Sequence, residues 1–227
     1  MSGIPTLEEL QKFVVNKAGW EVIRQPFFDS AAYPAAGATT LSFFATPKGQ
    51  GTSVLGGGPK TQSDTNMTLA GQLPAMQAFL IECIEVAFQP TTPSVAAQLP
   101  AAFGAKAIAQ IVNDAYVFRR SGNLNLTIGS KPYLEAAPLM IFPASADFQV
   151  SAALADSTTA AADSQSRIAY GKSVGRPYSL GSAPIFLTAN QNFSITLAWP
   201  EGLQALPSTN PARIVVSMFG LLYRRSQ

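Results

Sequence analysis

The stretch Phe186–Tyr223, FLTANQNFSITLAWPEGLQALPSTNPARIVVSMFGLLY, decides the fold. From Asn192 its residues alternate, with Phe193, Ile195, Leu197 and Trp199 on one face and Asn192, Ser194, Thr196 and Ala198 on the other. A period of two marks a strand with one face buried. A Pro-rich loop follows, then a second strand of a different kind. Ile214, Val216, Met218 and Leu222 share one face of it, while Val215, Phe219, Leu221 and Tyr223 share the opposite one. A strand apolar on both sides must be covered on both sides. Its sandwich partner provides one cover; an inserted helix or a neighbouring subunit provides the other.

The rest of the 227-residue chain is read outward from that pair. Asn123–Ile128 alternates Leu124, Leu126 and Ile128 against Asn123, Asn125 and Thr127, and Ser121-Gly122 reads as a two-residue turn joining it to a strand at Tyr116–Arg120. Phe79–Phe88, FLIECIEVAF, is a strong strand whose Glu82 and Glu85 fall on opposite faces, which predicts a bulge or a subunit contact. Pro132–Pro143 is Pro-interrupted and suits an edge or a bend. Between the strands, Phe103, Ala107, Ile108, Ile111, Val112 and Ala115 form an apolar helical stripe, so a helical insertion at about 93–115 is predicted to pack on a sheet. Thr6-Leu7-Glu8-Glu9 fits a capping box and opens a short amphipathic helix from about Leu7 to Lys17. Gly49–Gly58 carries five glycines and reads as a flexible loop; Ala152–Ser166 is of low complexity and reads as another. Arg167–Tyr170 and Pro177–Ser182 are weak strands. The count is eight to ten short strands, one main helical insertion and no internal repeat. An all-β, jelly-roll β-sandwich fits best, single rather than a compact double one, with an inserted helix and an N-terminal helical extension. The expected division is 1–75 for the N-terminal extension, with its short helix and Gly-rich loop, and 76–227 for the jelly-roll domain.

Composition narrows the function. Only 12% of residues are charged, about half the usual ~25%. A sparsely charged exterior is poorly protected against association, which suits an assembling protein. The net charge of +2 gives no strong field, so nucleic-acid contact is at most weak. Arg119–Arg120 and Arg224–Arg225 read as solvated strand ends. The N-terminal MSGIPTLEELQKF lacks a basic flank before an apolar run, and no run approaches the ~18 apolar residues of a membrane span. The expectation is a soluble chain made in the cytoplasm. The lone Cys83 lies in an apolar run and reads as a small hydrophobe.

Catalytic signatures are missing. With no histidine there is no His-based triad, no zinc site of the usual kind and no cupin metal site. Gly49-Gln50-Gly51 and Gly56-Gly57-Gly58-Pro59-Lys60-Thr61 lack the spacing of nucleotide-binding loops. A glycosidase needs two carboxylates, and Glu82/Glu85, Glu135 and Glu201 are available, but nothing sets one pair apart. Trp20, Trp199, Tyr133, Tyr170 and Tyr178 offer stacking faces for sugars; Trp199, in phase with Phe193 and Leu197, reads as core. No enzyme activity, cofactor or metal is predicted.

Two segments together carry a resemblance. Gly122–Pro143, GNLNLTIGSKPYLEAAPLMIFP, resembles a strand–turn–strand of the jelly-roll major capsid proteins of small tailless icosahedral bacteriophages, including lipid-containing ones. Pro184–Tyr223 resembles the closing strand pair of the same proteins. What the resemblance implies is a structural subunit of the virion. Its partners would be copies of itself in a trimer or pseudo-hexameric capsomer, together with other virion proteins, in an icosahedral shell that in many relatives lies above an internal membrane. Val215, Phe219, Leu221 and Tyr223 are then the expected subunit-interface residues. The alternative is a glycan- or receptor-binding spike or lectin-like jelly roll.

Overall fold

The computed structural model describes residues 20–90, 105–153, 165–172, 175–189 and 191–225. In chain order these form β1 (Trp20–Arg24), β2 (Phe27–Tyr33), β3 (Thr40–Phe43), β4 (Gln77–Pro90), α1 (Ala105–Arg120), β5 (Asn123–Ile128) and β6 (Lys131–Pro138). A single 3-10 turn (Leu139–Ile141) follows, then β7 (Ala146–Ala153), β8 (Gln165–Lys172), β9 (Tyr178–Ser179), β10 (Ile185–Thr188), β11 (Phe193–Ala198) and β12 (Ala212–Arg225).

Two long strands organise the first sheet. β4 and β12 run antiparallel from Ala212 opposite Pro90 to Arg224 opposite Gln77. β1 and β2 lie end to end along the other side of β12, interrupted at Gln25-Pro26, where proline has no N–H to give to a ladder. β10 and β9 continue one another along the far side of β4. Four more strands, in the order β3-β11-β5-β6, make the second sheet. The molecule is therefore an all-β sandwich of two antiparallel sheets, with β7 and β8 as a separate two-stranded ribbon. The core between the sheets takes Ile214, Val216, Met218 and Leu222 from β12, Phe193, Ile195 and Leu197 from β11, and Leu124, Leu126 and Ile128 from β5.

Core-facing residues on β4 change phase, from Phe79 and Ile81 to Ile84, Val86 and Phe88. The ladder to β12 slips at the same place, between Phe219 and Gly220. This is the predicted bulge, and it brings Glu82 and Glu85 to one face. Gly220 is what lets β12 pass it: a Cβ there would overlap the Leu80 carbonyl oxygen.

The helix departs from expectation. α1 runs on through Arg120, so Tyr116–Arg120 is not a strand, and Ser121-Gly122 joins helix to strand. Asp114 and Phe118 are buried while Asn113, Tyr116 and Arg120 are exposed, a helical period that outlasts Ala115. Nor is α1 laid on a sheet through this end. Phe118 plugs the end of the sandwich, its ring 5.1–5.5 Å from those of Phe88, Tyr33 and Trp199. The Trp199 indole N–H donates to the Phe118 carbonyl at 2.9 Å.

The boundary expected at residue 76 does not divide the structure. β2 pairs with β12 and β3 with β11, so both lie inside the two sheets. Their partners come from the other end of the chain, a distance local patterning cannot bridge. β7 was not foreseen, whereas β6 is at a sheet edge as its prolines require. The helix at Leu7–Lys17, the start of the insertion near residue 93 and most of the loop at Ala152–Ser166 lie outside the described residues.

Candidate functional site

The outer face of the first sheet is the candidate surface. Strand periodicity turns Val215, Phe219, Leu221 and Tyr223 away from the core that their even-numbered neighbours enter. Val215, Phe219 and Leu221 stay half-buried, while Tyr223 is only 5% exposed. Tyr223 and the sealed Leu80 form a second apolar cluster with Ala78, Phe186 and Leu221. The rings of Tyr223 and Phe186 meet edge to face at 6.1 Å. Burial, aided by the nearby Glu82 charge, pushes the Tyr223 hydroxyl above its ordinary pKa. Arg24 pairs with Glu82 at 2.7 Å, and Val22 is exposed opposite Tyr223. All four expected interface residues thus share one face, with Leu80 and Phe186 added. The missed pair was concealed by the bulge on β4 and by the shortness of β10.

A polar centre escaped the sequence reading. Asp29 sits in phase with Phe27, Ala31 and Tyr33 on β2, pointing where a hydrophobe belongs, and is 1% exposed. Its carboxylate accepts from Lys60 Nζ at 2.7 Å, Phe44 N at 2.6 Å and Ser30 N at 3.0 Å. Burial raises its pKa despite these partners. The equally buried Asp64 also pays for desolvation, but hydrogen bonds from Thr61, Ser53 and Val54 hold it below the ordinary carboxylate range. These contacts shape the 44–66 segment.

The other sequence candidates are scattered. Trp199 is sealed in the core, and Tyr178 packs on Phe142. Tyr133 is exposed on β6, and Glu135 and Glu201 are exposed. Glu85 accepts from Ser145 N at 2.8 Å. Arg119 is no solvated strand end: it bonds to the carbonyls of Val86, Leu139 and Phe142. Among the described residues no three acidic, Cys or His side chains converge, and no helix is long and apolar enough to cross a membrane. The chain matches no protein-family model and no curated protein sequence.

Proposed function

We propose that the chain is a self-assembling virion structural protein: a single jelly-roll capsid subunit that docks with copies of itself to build an icosahedral shell. The strand pairing supports the jelly roll. With β1–β2 and β9–β10 each taken as one broken strand, there are eight positions in the two sheets. The first then pairs with the eighth, the second with the seventh, the third with the sixth and the fourth with the fifth. That is the pairing of one long antiparallel hairpin folded over on itself.

The observation that carries the functional reading is the outer face of the first sheet, where Val215, Phe219, Leu221 and Phe186 remain half-buried on a chain with little charge. A standard interface buries roughly 1,600 Å² in total, and a tile that uses several such contacts would cover that face. For the glycan-binding alternative, Trp199 is enclosed in the core and Tyr178 packs on Phe142, so neither ring offers a free stacking face. Size-exclusion chromatography with light scattering, followed by electron microscopy, tests the proposal. Trimers, hexamers or shells are expected; a monomer at high concentration that binds a sugar overturns it.

A further inference from the structure

A sheet edge exposes unpaired N–H and C=O groups that another strand can capture. On β2 the Phe28 N–H donates to Asn66 Oδ1 at 3.0 Å, and the Phe28 carbonyl accepts from Asn66 N at 3.3 Å and Thr65 Oγ1 at 3.1 Å. The main-chain groups of Phe28 thus point away from β12, and those of Ser30, two residues on, point the same way. The Ser30 N–H ends on Asp29 Oδ1, and its hydroxyl donates to the Asp64 carbonyl at 2.9 Å. At both positions the amide meets a side-chain oxygen, and one antiparallel bridge, between Asp29 and Thr65, is all the ladder that residues 61–66 add to this edge.

We infer that residues 61–66 are an intrachain strap that keeps the outer edge of β2 from pairing with β2 of a second copy, with the Asp29–Lys60 ion pair as its clasp. The one carboxylate holds the segment where it leaves β3, at Phe44 N, and where it returns, at Lys60 Nζ. Lys60 is 9% exposed, so neither charge has water to fall back on. Arg213 of β12 adds a tie to the Ser63 carbonyl. The β6 edge is guarded differently, by Pro132, Pro138 and the left-handed Ala136 at φ 48°. A released β2 offers a seven-residue main-chain ladder that asks for no particular sequence. The strand always present at matching concentration is the β2 of another released copy.

The test uses the full chain in a Phe219→Asp background, which separates edge pairing from docking through the sheet face. Lys60→Met should speed amide exchange at Phe28, Ser30 and residues 44–66 by ~10-fold or more while β4 and β12 stay protected. Dimers should then grow with concentration by light scattering. The double variant Asp29→Asn/Lys60→Met, with no lone buried charge, should show less of both. Asn66→Ala leaves the ion pair intact, removes the partners of the Phe28 N–H and the Pro26 carbonyl, and should give a weaker form of the same response. If Lys60→Met does not fold, Asn66→Ala decides by the same readouts. Unchanged exchange refutes the clasp. Faster exchange at Phe28 in a chain that stays monomeric refutes the strap.

Discussion

Single residues set the tolerances of this sandwich. At Gly220 the two longest strands approach so closely, over the β4 bulge, that a methyl group meets the Leu80 carbonyl oxygen. Gly220→Ala should therefore cost about 1–3 kcal/mol or more, the range for overpacking; an unshifted urea midpoint would show that the bulge yields freely. The buried acids divide by sign. Asp64 is held below the ordinary range, so its stabilisation is present above the unfolded value of about 4 and is lost as pH falls through its own lower pKa. Asp29 and Asp114 are raised by burial, so each ionised carboxylate costs the folded state at neutral pH. That cost fades as pH falls through the raised values. Stability should thus hold or rise on mild acidification and drop only below about pH 4. Asp64→Asn should flatten the drop, and urea midpoints against pH that keep the same acid limb in this variant would contradict the assignment.

At the scale of elements, Arg119 joins three of them. From the last turn of α1 its guanidinium reaches Val86 O of β4 at 2.7 Å and the Leu139 and Phe142 carbonyls, at 3.3 and 3.2 Å, around the 3-10 turn. It closes the edge of β4 where β9 ends, while Val86 N donates to the Phe142 carbonyl. Arg119→Met leaves buried carbonyls without that donor and should cost about 2–4 kcal/mol by urea unfolding, from charge-assisted bonds of ~1.5–3 each. Arg119→Lys should recover less than half, because an ammonium cannot present a planar fork to separated acceptors. Full rescue by lysine would reduce the role to charge alone.

For the whole molecule, the outer face of the first sheet divides into a sealed part and an open part. Tyr223 and Leu80 are covered, whereas Phe219 is half-buried. Tyr223→Asp should therefore lose stability before it loses assembly, by about 2–4 kcal/mol for a charge placed in an apolar cluster. Phe219→Asp should leave a folded subunit that no longer assembles. Paired thermal melts and light scattering check both; a Phe219→Asp chain that assembles normally would remove this face from the interface.

The sequence by itself determined whatever a short window can contain. The alternation in β5, β11 and β12 marked each strand and its buried face, and the misphased glutamates of FLIECIEVAF called for a bulge or a subunit contact, of which the bulge is present. The prolines of Pro132–Pro143 suited an edge or a bend, and β6 lies at an edge. The four outer-face residues of β12 were legible because a period of two reports both faces of a strand. Tertiary structure alone decided what lies across from them. Leu80 and Phe186 joined Tyr223 only once β4 and β10 were aligned beside β12. β1–β3, assigned by sequence to an extension, became sheet strands by pairing with β11 and β12 near the far end of the chain. Asp29 and Lys60 became partners only when the 44–66 segment folded back over β2. The reason is that periodicity records which side of a strand is buried, whereas pairing and long-range charge contacts depend on groups that no local pattern encodes.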